Sequence, residues 1–190
     1  MLEAVPYKNY PILVVDDEEY ALLTFQNVFK HDFSIYMASS GEDALKMIQA
    51  HPDIALVLSD QKMPGMDGLS LITRISREHP EMINMLVTAY TDLSLVIEAI
   101  NHGNLYRYIV KPYDEREMRQ ILIQGIERYH LSKERDRLYI EHLESIRVET
   151  EMKRLAELGT MAAGVTHDIN NSLVAVSSFL GMIPQKRQEG

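Results

Sequence analysis

The chain has no cysteine and no tryptophan among its 190 residues. Disulfides and thiol chemistry are thereby excluded, and the composition suits a reducing compartment. Basic residues are in deficit: 19 Lys and Arg stand against 28 Asp and Glu, a formal net charge of −9. A phosphate-binding surface normally needs clustered cations, so a nucleic-acid partner is set aside. No apolar run approaches the roughly 18–20 residues that span a bilayer. The opening "MLEAVPYKNY" lacks the basic-then-apolar profile of a secretory signal. A cytoplasmic protein without a membrane span is expected. Glycine and proline are not enriched, at 9 and 7 residues, and the 46% apolar fraction suffices for a packed core. The length allows one ordinary domain with an appendage, or two small ones.

Two regions differ in period. Up to about residue 128, near-continuous apolar runs alternate with amphipathic segments: "ILVVDD" (12–17), "IALVLSD" (54–60), "INMLVTA" (83–89) and "YRYIVKP" (106–112). Such runs suit strands buried on both faces of a parallel sheet. "FSIYMAS" (33–39) alternates and fits an edge. Helical segments are expected near 18–30, 41–50, 67–78, 92–102 and from 114 onward, with Ser40–Gly41 at one start and Gly103 after one end. Five strands alternating with five helices predict an α/β fold, a doubly wound five-stranded parallel sheet.

From Asp114 to Pro184 no proline or turn cluster intervenes. Met152, Leu155, Gly159, Ala162, Thr166, Ile169, Leu173, Val176, Leu180 and Ile183 recur at alternating three- and four-residue spacing, the seam of a coiled coil. Tyr139, Leu143 and Ile146 fit another phase, which implies a stutter or a separate packing unit. The seam predicts self-association as a parallel dimer.

In open α/β sheets, functional groups gather beyond the carboxyl ends of strands. Here Asp16 and Asp17 close the first strand, Asp60 the third, Thr88 the fourth and Lys111 the fifth. Three carboxylates held together would repel one another, and hard oxygen ligands without His or Cys point to Mg²⁺. Asp60 is then a candidate carboxylate nucleophile toward phosphorus. Lys111 and the Thr88 hydroxyl would bind the arriving phosphoryl oxygens. The turn Gly65–Met66–Asp67–Gly68 shapes the loop beside Asp60 and starts a helix, with Asp67 as its cap.

The stretches "VVDDE", "LSDQKMPGMDG", "VTAY" and "YIVKP" resemble a response-regulator receiver domain over residues 8 to about 130. The resemblance implies that Asp60 is the phosphoacceptor and that Asp17 and Asp60 bind the metal. It implies that Asp16 acts mainly through water and that the Lys62 backbone carbonyl completes the site. Thr88 becomes the switch hydroxyl, Lys111 the phosphate-pairing lysine, and Tyr108 the aromatic that turns inward when Thr88 engages phosphate. The Lys111–Pro112 bond is expected to be cis.

In the tail, "GVTHDINNSL" places His167 beside the core-side Thr166, at the edge of the seam. Asp168 can orient the ring and raise its basicity. Asn171 lies one turn further on the same face. Paired asparagines weaken a helix interior without evident structural gain. A lone helical histidine is most often an ordinary polar residue on a wet face. The stretch "LAELGTMAAGVTHDINNSL" resembles the first helix of the dimerisation and phosphotransfer domain of sensor histidine kinases. That implies phosphorylation of His167, assistance by the adjacent acid Asp168, and support for partner dephosphorylation by Asn171. Many members have proline where Ser172 stands, so no kink below His167 is implied.

The expected organisation is a receiver at 8–130, a helical linker at 131–151 and a truncated first kinase helix at 152–190. Nothing in the chain reads as an ATP site, so it is expected to be part of a longer histidine kinase. Its partners would be a second copy and a cognate phosphodonor kinase or response regulator. A non-enzymatic receiver adaptor that dimerises through its coil, and a relay exchanging phosphoryl between Asp60 and His167, are the competing readings.

Overall fold

Successive side chains along a strand point to opposite faces, and in this sheet both faces are apolar. Four residues carry that pattern in β1 (Ile12–Val15), all of them buried. Ile12 and Val14 join Phe25 and Phe29 of α1 (Glu19–Phe29) and Met118, Ile121, Leu122 and Ile126 of α4 (Glu115–Gly181) on one face. Leu13 and Val15 face the other way, toward Ala44 and Ile48 of α2 (Gly41–Ala50) and Leu71 and Ile75 of α3 (Gly68–Glu78). The sheet is completed by β2 (Ile35–Ala38), β3 (Leu56–Asp60), β4 (Ile83–Thr88) and β5 (Arg107–Val110). All five strands are parallel, in the order β2-β1-β3-β4-β5.

The computed structural model describes residues 5–89 and 105–181, without the side chains of 159–160, 162–164, 166–168 and 175–181. The helix expected near 92–102 lies outside the described residues.

The doubly wound five-stranded sheet is as expected, and β2 is an edge strand, partly exposed along three of its four residues. The run "YRYIVKP" departs from its expected burial. β5 forms the opposite edge, with Arg107 and Tyr108 exposed and only Ile109 buried. An edge strand can leave side chains in water that a central strand cannot.

Two helices begin on side-chain caps, as expected. Ser40 Oγ accepts from the Asp43 N–H at 3.1 Å, and Asp67 Oδ1 accepts from the Ser70 N–H at 2.7 Å. Each satisfies a backbone donor that the first turn leaves unpaired.

The chain divides into two units, Met1–Asp136 and Arg137–Gly190. In the first, α4 buries Met118, Ile121, Leu122, Ile126 and Tyr129, spaced three and four apart. In the second, every residue from Arg137 to Leu158 is exposed, among them Leu138, Leu143, Ile146, Met152 and Leu155. Among the described residues no helix is long and apolar enough to cross a membrane.

Candidate functional site

The strand order reverses between β1 and β3, and open sheets bind their ligands at such switch points. β1 and β3 pair in register from Ile12↔Leu56 to Val15↔Ser59. The residues next in line are Asp16 and Asp60. Asp16 is buried, and its Oδ1 accepts the Glu18 N–H at 2.9 Å. Asp60 Oδ2 accepts the Lys62 N–H at 2.7 Å. Lys111, one residue past β5, directs its ammonium at both carboxylates: 2.5 Å to Asp60 Oδ1 and 3.5 Å to Asp16 Oδ2. The Lys111–Pro112 peptide is cis.

Burial of the Lys111 ammonium pulls its pKa down, but the hydrogen bond and charge of Asp60, with the charge of Asp16, outweigh that and leave it raised. The lysine is therefore a fixed positive charge at the mouth of the site at neutral pH. Tyr113 sits nearby, and its pKa is also raised. Burial is the main cause; the Lys111 charge opposes it, and the Asp16 and Asp60 charges add to it.

Thr88 ends β4 and is 2% exposed, its hydroxyl donating to the Ala89 carbonyl at 3.0 Å. Tyr108 is 38% exposed on β5. Asp17 is exposed beside Asp16. The structure thus brings Asp16, Asp60 and Lys111 together, sets Thr88 at the neighbouring strand end, and leaves Asp17 and Tyr108 at the surface. The backbone of His167 and Asp168 lies in α4, while their side chains are outside the described set; Asn171 is exposed on the same helix.

Three features of the site did not emerge from the sequence. Tyr113 lines a cleft of about 300 Å³ with Asp16, Asp60, Lys111, Thr24 and Phe25. Gly68 is pressed against β3 so closely that a Cβ there would lie 2.1 Å from the Asp60 carbonyl oxygen. Gln61, next to the candidate nucleophile, is buried with its Oε1 unpaired. Burial of Gln61 and contact at Gly68 depend on tertiary packing, whereas an aromatic two residues after Lys111 was a visible hint.

The donor set here is all oxygen, and two carboxylates already converge on one positive charge. That chemistry fits a hard divalent cation such as Mg²⁺. Among the described residues no group of three or more His, Cys, Asp or Glu side chains is assembled as a cation cage. The charge between Asp16 and Asp60 is supplied by Lys111.

Residues 12–123 match the family model described as the response regulator receiver domain. The chain belongs to that family. As a receiver it is 28% identical over 134 residues to the hydrogenase transcriptional regulatory protein HoxA of Cupriavidus necator, across 70% of this chain and 28% of that protein. It is 34% identical over 113 residues to sporulation initiation phosphotransferase F of Bacillus subtilis, covering 58% of this chain and 89% of the relative. Among solved structures, it resembles the signal receiver domain of an HD domain-containing protein from Pseudomonas fluorescens Pf-5. That likeness has a TM-score of 0.60 at 34% identity, over 64% of this chain and 98% of the other. The chain spans only about a quarter of the length of the transcriptional regulators it matches, 28% and 25% for two HoxA proteins. The receiver is a module of two-component signalling, a class that interacts with phosphodonor kinases. His167 lies beyond the matched segment.

Proposed function

We propose that the chain is a phosphoryl-accepting receiver that acts, through α4, on a histidine phosphotransfer helix carrying His167. The observation behind the reading is the Lys111 ammonium held between Asp16 and Asp60 at the β1/β3 switch point. An Asp60 carboxylate oxygen attacks phosphorus of a phosphodonor, and the bond from phosphorus to the donor breaks, its electron pair leaving with the donor. Asp60 becomes an acyl phosphate. Lys111 binds one phosphoryl oxygen and stabilises the charge developed in the transfer. Thr88 turns its hydroxyl from the Ala89 carbonyl to another phosphoryl oxygen. Tyr108, outward on β5, then turns in behind it. Mg²⁺ held by Asp16, Asp17, Asp60 and the Lys62 backbone carbonyl would neutralise the carboxylates and orient the phosphoryl oxygens.

The outcome is a population shift: phosphorylation favours one arrangement of the β5 face, and α4 carries the bias along 131–151 toward 152–190. His167 is the second phosphoacceptor there, assisted by Asp168 and Asn171. ATP and its binding domain come from outside these residues. Self-association through the α4 seam, a cytoplasmic location, and a cognate kinase or response regulator as partner belong to the same reading. The name of the Bacillus relative, a phosphotransferase, supports a second reading: a relay in which Asp60 and His167 exchange the phosphoryl group.

The test uses acetyl phosphate with Mg²⁺ and phosphate-affinity gels. Wild-type chain is expected to gain one hydroxylamine-labile phosphate, absent from Asp60→Asn and suppressed by EDTA. No labelling of wild type would sink the receiver mechanism. A separate kinase ATP-binding domain should place acid-labile phosphate on wild type but not on His167→Gln. Equal labelling of both proteins would leave the adaptor reading in its place.

A further inference from the structure

The first strand begins at Ile12, yet the chain before it is not idle. Tyr7–Asn9 form a 3₁₀ turn, closed by the Tyr10 N–H donating to the Tyr7 carbonyl at 3.1 Å. The Tyr7 hydroxyl donates to Glu127 Oε1 at 3.2 Å, and Tyr10 Oη is hydrogen-bonded to His130 Nδ1 at 2.7 Å. Within each segment the two partners are three residues apart, Tyr7 and Tyr10 on one side and Glu127 and His130 on the other. Residues three apart on a 3₁₀ turn eclipse, rising roughly 6 Å, and residues three apart on an α-helix share a face, rising about 4.5 Å. One turn of each element therefore presents two partners to the other.

Ring contacts reinforce the match. Tyr10 lies edge-on to Tyr129 and to His130, with centroids 5.9 and 5.6 Å away. Tyr7 lies edge-on to Phe33 at 6.3 Å, and Ser34 Oγ donates to the Lys8 carbonyl at 2.8 Å. The segment is thus tied to the chain that leads into β2 on one side and to α4 on the other. Residues 5–10 and their α4 partners Glu127 and His130 fall outside residues 12–123, the span that the family pattern covers.

We infer that residues 5–10 form a clasp that fixes where α4 stops being docked on the receiver. Tyr129 is the last buried residue described on α4, and the clasp grips that turn and the next. The grip is peripheral: Tyr7 and Tyr10 are only partly buried, and the 3₁₀ turn holds no buried residue. Elements tied by few buried contacts open at low free energy, which is what a releasable latch requires. Opening it frees the helix from about residue 127 onward and leaves Asp16, Asp60 and Lys111 untouched. Roughly 22 Å of helix separates Glu115, beside the acid site, from His130 at 1.5 Å per residue. The clasp is therefore a control point separate from the phosphorylation chemistry, and the inference does not depend on Asp60 being phosphorylated.

Amide hydrogen exchange of the full chain tests it, with peptides covering 126–134, 116–122 and β3. Tyr10→Ala should accelerate exchange at 127–133 by about tenfold or more, while 116–122 and β3 stay at wild-type rates. Tyr10→Phe, which keeps the ring and folds as wild type, should give a smaller acceleration confined to the same amides. His130→Ala should reproduce the Tyr10→Phe effect, and the double variant should add little to it. Unchanged exchange at 127–133 in Tyr10→Ala, or an acceleration spread evenly through β3, overturns the clasp.

Discussion

Replacing Gly68 with alanine tests how tightly the site is built. An alanine Cβ would lie 2.1 Å from the Asp60 carbonyl oxygen, 2.9 Å from its carbon and 2.8 Å from Leu86 Cδ1. The Leu86 methyl can rotate away. The Asp60 peptide cannot, since Asp60 pairs with Val87 and the Gln61 N–H donates to the Val87 carbonyl at 2.9 Å. The start of α3 must instead retreat by about 0.9 Å to restore a 3.0 Å contact. Such a retreat strains the hydrogen bond from the Gly68 N–H to the Gln61 carbonyl, now 3.1 Å. Overpacking costs about 1–3 kcal/mol, and the weakened bond about 1 more. The helix propensity of alanine returns less than about 1 kcal/mol. The net loss is about 1–4 kcal/mol, and the loop carrying Asp60 and Lys62 shifts with it. Urea unfolding of Gly68→Ala should show that loss, and its phosphorylation by acetyl phosphate should slow. Gly65→Ala is the control: its φ of 79° strains an alanine by about 1–2 kcal/mol, but the nearest atom to its Cβ, Glu42 Oε1, is 3.7 Å away. A Gly68→Ala protein within about 0.5 kcal/mol of wild type, phosphorylated at the wild-type rate, would refute the reasoning.

Three further outcomes follow from particular contacts. Asn84 is buried in β4 with Oδ1 unpaired, its Nδ2 donating to Ser76 Oγ at 2.9 Å. Asn84→Val removes a stranded acceptor and adds a β-branched residue to a strand, so the unfolding free energy from urea titration should hold or rise, by about 0–2 kcal/mol. Ser40→Ala deletes the α2 cap and should cost about 0.5–2 kcal/mol, concentrated in faster exchange of the first-turn amides. Lys111 binds its proton more tightly folded than unfolded, so its contribution to stability is complete below the ordinary lysine value of 10.5 and is lost as pH rises through the raised folded value. Urea midpoints of wild type should therefore fall above that pH more steeply than those of Lys111→Met.

Runs buried on both faces leave an unbroken apolar record, which is why β1, β3 and β4 were legible before the structure. β5 was not fully legible, although Arg107 interrupts its run: a charged residue in a short strand signalled an edge. Asp16, Asp60 and Lys111 could be placed together because strand ends of a parallel sheet converge on one side. Their partners were another matter. That Lys111 reaches both carboxylates, that Gly68 abuts the Asp60 carbonyl, and that Tyr10 meets His130 across 120 residues of chain are facts of packing. Local pattern carries no information about contacts at that separation.

The exposed face of α4 offers a test that also separates its two apolar phases. Met152 and Leu155, on the downstream seam, are 66% and 60% exposed; Leu143 and Ile146, on the upstream phase, are 48% and 47% exposed. Self-association through either stripe would bury these side chains, each contributing about 1.5–3 kcal/mol. One substitution removes two such contributions from a symmetric dimer, so Kd should rise about 10²- to 10⁴-fold. In sedimentation velocity at micromolar concentration, Leu155→Glu is expected to give a monomer where wild type is a dimer. Leu143→Glu should do the same only if the upstream phase is in the interface. A glutamate at either position stays on an exposed helical surface, so the monomer should keep its helicity. A wild-type monomer, or a dimer indifferent to both changes, would mean that the stripes serve another partner.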